Sequence, residues 1–146
     1  MAHCNIEIPS SIVNQLTGTI NAYLTEDGGN DPVNVLSKGA HYDVVVEVEL
    51  NAALKRLICG SWCICVAAES VGNAGEPRTC ADPLLMTNCD DEPEVARVSL
   101  PEDWFAGNED ACGDVFNLAV TVVAKNQCDE PMGIAGFCEL GPVMVQ

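Results

Sequence analysis

Tyr42-Asp43-Val44-Val45-Val46-Glu47-Val48-Glu49-Leu50-Asn51 alternates apolar and polar side chains through most of its length. Successive side chains of a strand point to opposite faces. Period 2 therefore puts Tyr42, Val44, Val46, Val48 and Leu50 on one face and Asp43, Glu47, Glu49 and Asn51 on the other. A helix would scatter both sets around its axis. The stretch reads as a strand with one face on a core and one toward water.

The same period recurs on both sides of it. Leu16, Ile20, Ala22 and Leu24 alternate with Thr17, Thr19, Asn21 and Tyr23, and the run ends in Thr25-Glu26-Asp27-Gly28-Gly29-Asn30-Asp31-Pro32. Gly and Asn tolerate positive φ and Pro stops a ladder, so this is a turn. Ser61–Ser70 predicts a strand with Trp62, Ile64, Val66 and Ala68 on its core face. Phe116, Leu118, Val120 and Val122 predict another, alternating with Val115, Asn117, Ala119, Thr121 and Val123. Val98 and Leu100 mark a short strand before Pro101. The tail shows two apolar pieces, 134–140 and 143–145, divided by Gly141-Pro142.

Loops rich in Gly, Pro, Asn and Asp separate these runs, notably 71–94 and 101–114. Two short segments fit a helix turn: 51–57, which equally fits extended chain, and 101–105, with Pro at its start. Neither changes the class. About seven strands with turn signals between them, and no regular strand-helix alternation, predict an all-β, two-sheet sandwich with long acidic loops. The expected division is an N-terminal arm or edge strand over 1–15 and a sandwich over 16–146.

Trp62 in a central strand and Phe116-Asn117-Leu118-Ala119-Val120-Thr121-Val122 as a penultimate strand resemble the immunoglobulin-like superfamily. The resemblance covers about 16–146 and implies an immunoglobulin-like sandwich. No cysteine stands on the penultimate strand as in antibody domains, so it identifies no particular family.

At 146 residues the chain fits one domain, and a chain of this size buries roughly 70% of its unfolded surface. Hydrophobic residues make up 48% and aromatics 5%, which makes the core aliphatic. There are 22 acidic and 6 basic residues, for a net charge of −16. Such a chain repels nucleic-acid phosphates and anionic lipid, so neither nucleic acid nor membrane is an expected partner. No run approaches a membrane span. The first residues lack the basic and apolar regions of a secretory signal, an expectation of synthesis in the cytoplasm.

Nine cysteines pull the other way: Cys4, Cys59, Cys63, Cys65, Cys80, Cys89, Cys112, Cys128 and Cys138. That density suits oxidised domains with an extracellular or surface end location. The odd count leaves one thiol unpaired or shared with another chain. All nine are candidates for disulfides or subunit contacts. Period 2 puts Cys63, Cys65 and Ala67 on the strand face opposite Trp62, where something is expected to cover them. A bond between Cys63 and Cys65 is awkward at the i, i+2 spacing, and cross-strand pairing fits better.

Metal templates fit less well. The spacings Cys59-x3-Cys63 and Cys63-x-Cys65 are not the paired knuckles of structural zinc. The loop 26–31 offers oxygen donors and flexible glycines, which makes Asp27, Asn30 and Asp31 the calcium candidates and calcium the one cofactor candidate. Cys89-Asp90-Asp91-Glu92 and Asn108-Glu109-Asp110 add carboxylates. No nucleophile elbow, zinc-protease helix, Walker loop or dinucleotide fingerprint occurs, and no cysteine motif lies near His41. The expectation is a protein that is not an enzyme. Two roles fit: a structural subunit whose N-terminal arm and cysteines contact its own copies or a protein scaffold, or a module binding calcium or a basic protein through its acidic loops.

Overall fold

A computed structural model describes residues 1–8, 17–50, 59–71, 76–86, 93–105 and 114–146. The expectations for 51–57, Leu16, Cys89, Cys112 and the carboxylates at 90–92 and 108–110 lie outside the described residues. Among the described residues there are ten strands and no helix. They are β1 (Ala2–Glu7), β2 (Gly18–Glu26), β3 (Val35–Leu36), β4 (Tyr42–Leu50), β5 (Ser61–Ser70), β6 (Arg78–Cys80), β7 (Leu84–Leu85), β8 (Glu94–Leu100), β9 (Asp114–Lys125) and β10 (Pro131–Val145).

Two antiparallel layers face one another. One runs β1-β2-β4-β8; the other runs β6-β5-β9-β10, with β7 on β5 and β3 running parallel to the end of β10. Every core position read from period 2 and described is buried: Ile20, Ala22 and Leu24 on β2; Tyr42, Val44, Val46, Val48 and Leu50 on β4; Trp62, Ile64, Val66 and Ala68 on β5; Phe116, Leu118, Val120 and Val122 on β9. Each fully buried aliphatic side chain contributes about 1.5–3 kcal/mol of transfer free energy. This aliphatic layer is the main support of the fold.

β1 joins the layers. Ala2–Asn5 pair with β2 in one sheet, and Ile6 and Glu7 pair with Gly136 and Ala135 of β10 in the other. The region expected as an arm or edge strand thus has residues 2–7 paired within its own chain. Small residues make the corner possible. A Cβ on Gly136 would strike the Ile20 side chain, and one on Gly18 would come within 2.8 Å of Ile6 Cδ1. On the opposite seam β8 approaches β5 and β6, so the sandwich is close to a barrel.

Three details differ from the sequence reading. The tail is one strand, not two pieces: Gly141, at φ +87°, takes a bulge between Glu139 and Gly141, and the ladder with β9 continues through Pro142 to Val145. Part of the expected loop 71–94 is strand, because β6 and β7 pair with β5. Residues 101–105 form a turn closed by Trp104 N–H donating to Pro101 O at 3.0 Å, with no helix following within the described residues.

Strand order also departs from the antibody pattern. Counting only the seven strands of six residues or more, one layer is first-second-third-fifth and the other fourth-sixth-seventh. An antibody constant domain has first-second-fifth-fourth and third-sixth-seventh. The reason lies in the β2–β4 ladder. Its nine-residue register from Gly18↔Leu50 to Glu26↔Tyr42 pairs strands close in sequence, which takes the place a later strand holds in antibodies.

Candidate interaction face

The outer surface of β5, β9 and β10 is built by the residues that alternate with the core set. In register across the three strands stand Cys63–Val123–Ala135, then Cys65–Thr121–Phe137, then Ala67–Ala119–Glu139. Six of these nine are half-buried, Cys65 is buried, and Phe137 and Glu139 are exposed. Phe137 keeps 56% of its surface open to solvent. Eight of the nine carry no charge, in a chain of net charge −16. An uncharged patch on so acidic a surface is the kind of feature that marks a contact site.

Its rim holds two of the six basic residues. Lys125 ends β9 at one end, paired with the exposed Asp129 at 3.4 Å. Arg78 on β6 lies opposite Ala67 toward the other end, near Glu69, whose partner in register is Asn117. Asp82 lies two residues past the β6 ladder; Ala81 N–H still donates to Ile64 O at 2.9 Å. Arg78 lies on the Ala67 side of the disulfide, and the register to β5 shifts by one residue between Cys80 and Leu84.

The sequence placed Cys63 and Cys65 on this face and expected a cover. The structure supplies half of it: Cys65 is bonded to Cys80 across the β5–β6 ladder. Cys63 carries a free thiol and is half-buried. A second bond, Cys4–Cys138, ties β1 to β10. Two disulfides are compatible with an extracellular location. Cys128 is a free, exposed thiol in the β9–β10 turn, where Asn126 Oδ1 accepts from the N–H groups of Cys128 and Glu130.

The loop with the calcium candidates is held from outside by a cation. The Arg97 guanidinium on β8 donates to Asp43 Oδ2 at 3.0 Å, to Gly29 O at 2.6 Å and to Asn30 Oδ1 at 2.9 Å. Gly28 N–H also donates to Asp43 Oδ2. Of the three calcium candidates, Asn30 is therefore engaged by Arg97 through its side-chain oxygen. Asp27 and Asp31 are exposed on either side. Among the described residues no group of three or more His, Cys, Asp or Glu side chains is gathered closely enough to hold a metal ion.

The two histidines are apart from any described thiol chemistry. His41 Nε2 lies 4.0 Å from Glu102 on an exposed surface, and His3 shares a hydrogen bond with Asn21. One cleft of about 510 Å³ is lined by Cys59, Ser61, Met86, Asn126 and Asp129, and another of about 380 Å³ by Met1, Tyr23, Pro32, Leu140 and Val143. Neither brings His41 to a cysteine. Among the described residues no helix is long and apolar enough to cross a membrane.

The rim cations and Phe137 were missed from sequence. Phe137 had a signal: it is out of phase with Ile134, Gly136 and Cys138, so a strand there sends it outward. Arg78 and Lys125 had none, because their position depends on which strands become neighbours. No family model matches the chain, and no curated protein or solved structure does either. The face stands on its own geometry.

Proposed function

We propose that this chain is a non-enzymatic structural subunit that assembles with copies of itself. It would be immunoglobulin-like in the broad sense of two packed antiparallel sheets. The observation that carries the reading is the outer face of β5, β9 and β10, which sets half-buried small residues, a half-buried thiol and an exposed Phe137 together in a chain with 22 acidic and 6 basic residues. A contiguous uncharged face on a chain of net charge −16 supports a contact surface. β1 is used at home, paired with β2 and β10 and tied by Cys4–Cys138, so the proposed assembly runs through the sheet face and not through exchange of the N-terminal strand. Binding through the 26–31 loop has less support, since Arg97 holds Gly29 O and Asn30 Oδ1. The cystine pairs suit a final location in an oxidising, extracellular or surface setting.

Light scattering on the purified chain, with and without reductant, tests this. The expected species is larger than the 15.5 kDa chain in both conditions, because the contact is apolar and not covalent. A 15.5 kDa particle at every concentration, oxidised or reduced, would remove the proposal.

A further inference from the structure

We infer that the face of β5, β9 and β10 is the contact between two copies of this chain, related by a two-fold axis that lies in the plane of the face and crosses the strands at Thr121. The inference rests on the assembly reading above and adds to it the surface, the symmetry and the residues that set the orientation.

The charges on the rim set the orientation. Thr121 is midway along β9 between Asn117, beside Glu69, and Lys125. An axis across the strands at Thr121 lays each strand antiparallel on its own counterpart, so the two ends of the face exchange places. Lys125 of one copy then sits over Asn117 of the second copy, whose neighbours in register are Glu69 and Pro142. Arg78 likewise passes to the Cys63 end of the second copy, away from its own counterpart. The other simple two-fold, parallel to the strands along β9, stacks Lys125 on Lys125 and gathers the glutamates at the opposite end. Like charges facing each other select against it. With only 6 basic residues in the chain, two at opposite ends of one uncharged face make that face self-complementary in a single orientation. Isologous packing of this kind closes at two copies.

The size fits a weak, reversible contact. Three strands at about 4.8 Å spacing and eight residues of rise at about 3.3 Å, with the three residues of β6 beside them, give a flat footprint of roughly 430 Å² per copy. Two such faces reach about 860 Å², in the range of transient contacts. Phe137 is level with Thr121, so the two copies of its ring meet at the axis, where an aromatic anchor contributes most. Cys63 falls over Ala67 of the second copy and not over its own counterpart. The dimer therefore forms without an interchain disulfide, and it shields the Cys63 thiol. Cys128, in the β9–β10 turn, stays outside.

The test uses the full chain. Sedimentation equilibrium would be run on the wild type, Lys125→Glu, Glu69→Lys and the double variant, whose net charge equals the wild type's. Thermal melting would confirm that each is folded. Alkylation of Cys63 and Cys128 by iodoacetamide would be followed at low and high protein concentration. The expected result at 150 mM salt is a species of twice 15.5 kDa, a dissociation constant raised about tenfold in Lys125→Glu and about threefold in Glu69→Lys, whose lower net charge relieves part of the long-range repulsion, and recovery to within about twofold in the double. Cys63 alkylation would slow several-fold at high concentration while that of Cys128 stays constant. Self-association unchanged by both single variants, with Cys63 alkylation independent of concentration, overturns this face and leaves the assembly reading intact. Weakening in the singles without recovery in the double overturns the orientation. A wild-type monomer at all concentrations overturns both.

Discussion

Arg97 shows how one side chain can settle what a loop does. Asp43 stands in the polar phase of the β4 pattern, yet its side chain is only 7% exposed, and Arg97, with 36% of its own side chain exposed, lies across it. The guanidinium's planar fork lets it bind Asp43, Gly29 O and Asn30 Oδ1 together, which an ammonium could not reproduce. Arg97→Ala would leave a buried carboxylate with the Gly28 N–H as its remaining described donor, for a cost of about 1–3 kcal/mol. Arg97→Lys should recover less than half of that loss, because the charge returns without the fork. Urea denaturation of the two variants measures both values. An Arg97→Ala midpoint equal to the wild type's would show that Asp43 is satisfied without the arginine. The same clasp predicts that millimolar calcium raises the wild-type melting temperature no further than sodium chloride of matched ionic strength. A specific calcium shift, by ligand linkage, would return Asp27, Asn30 and Asp31 to consideration.

The strands were largely legible and their neighbours were not. Alternation fixes which residues of a strand face the core, and β2, β4, β5 and β9 obey it at every described core position. It holds no information on register between distant strands. For that reason the tail's continuity through the Gly141 bulge, the position of β1 between two sheets and both cysteine pairings had to come from the structure. The bonds differ in how much chain they close. Cys4 and Cys138 are 134 residues apart and Cys65 and Cys80 are 15 apart. In the chain-entropy account the first restricts the unfolded ensemble by about 5 kcal/mol and the second by about 3. The double substitution Cys4→Ser with Cys138→Ser should therefore destabilise more than Cys65→Ser with Cys80→Ser. It should also raise amide exchange in β1 specifically, since that bond holds β1 on β10. Denaturation midpoints and exchange rates of the two double variants decide this. The reverse ranking would mean that native-state packing around each bond outweighs loop closure.

For two copies of a chain with net charge −16, the long-range term opposes contact whatever the local pairs do. Coulomb's law in water for two such bodies about 25 Å apart, damped over the Debye length, leaves on the order of 10 kcal/mol of repulsion at 10 mM salt and about 2 kcal/mol at 150 mM. Rim pairs such as Lys125 with Glu69 are worth a few tenths of a kcal/mol each and are weakened over the same range. The signs are opposite and the magnitudes unequal, so the repulsion decides. Self-association should tighten as sodium chloride rises from 10 to 300 mM, although charged residues set the orientation. The melting temperature should rise with it, since the same screening relieves repulsion within each copy. Sedimentation across a salt series reads the first effect and calorimetry the second. Association that weakens with salt would mean that attraction between charges holds the copies together, and the apolar centre around Phe137 and Thr121 would lose its role. Salt-driven tightening with Phe137→Asp still dimeric would move the contact to another part of the surface.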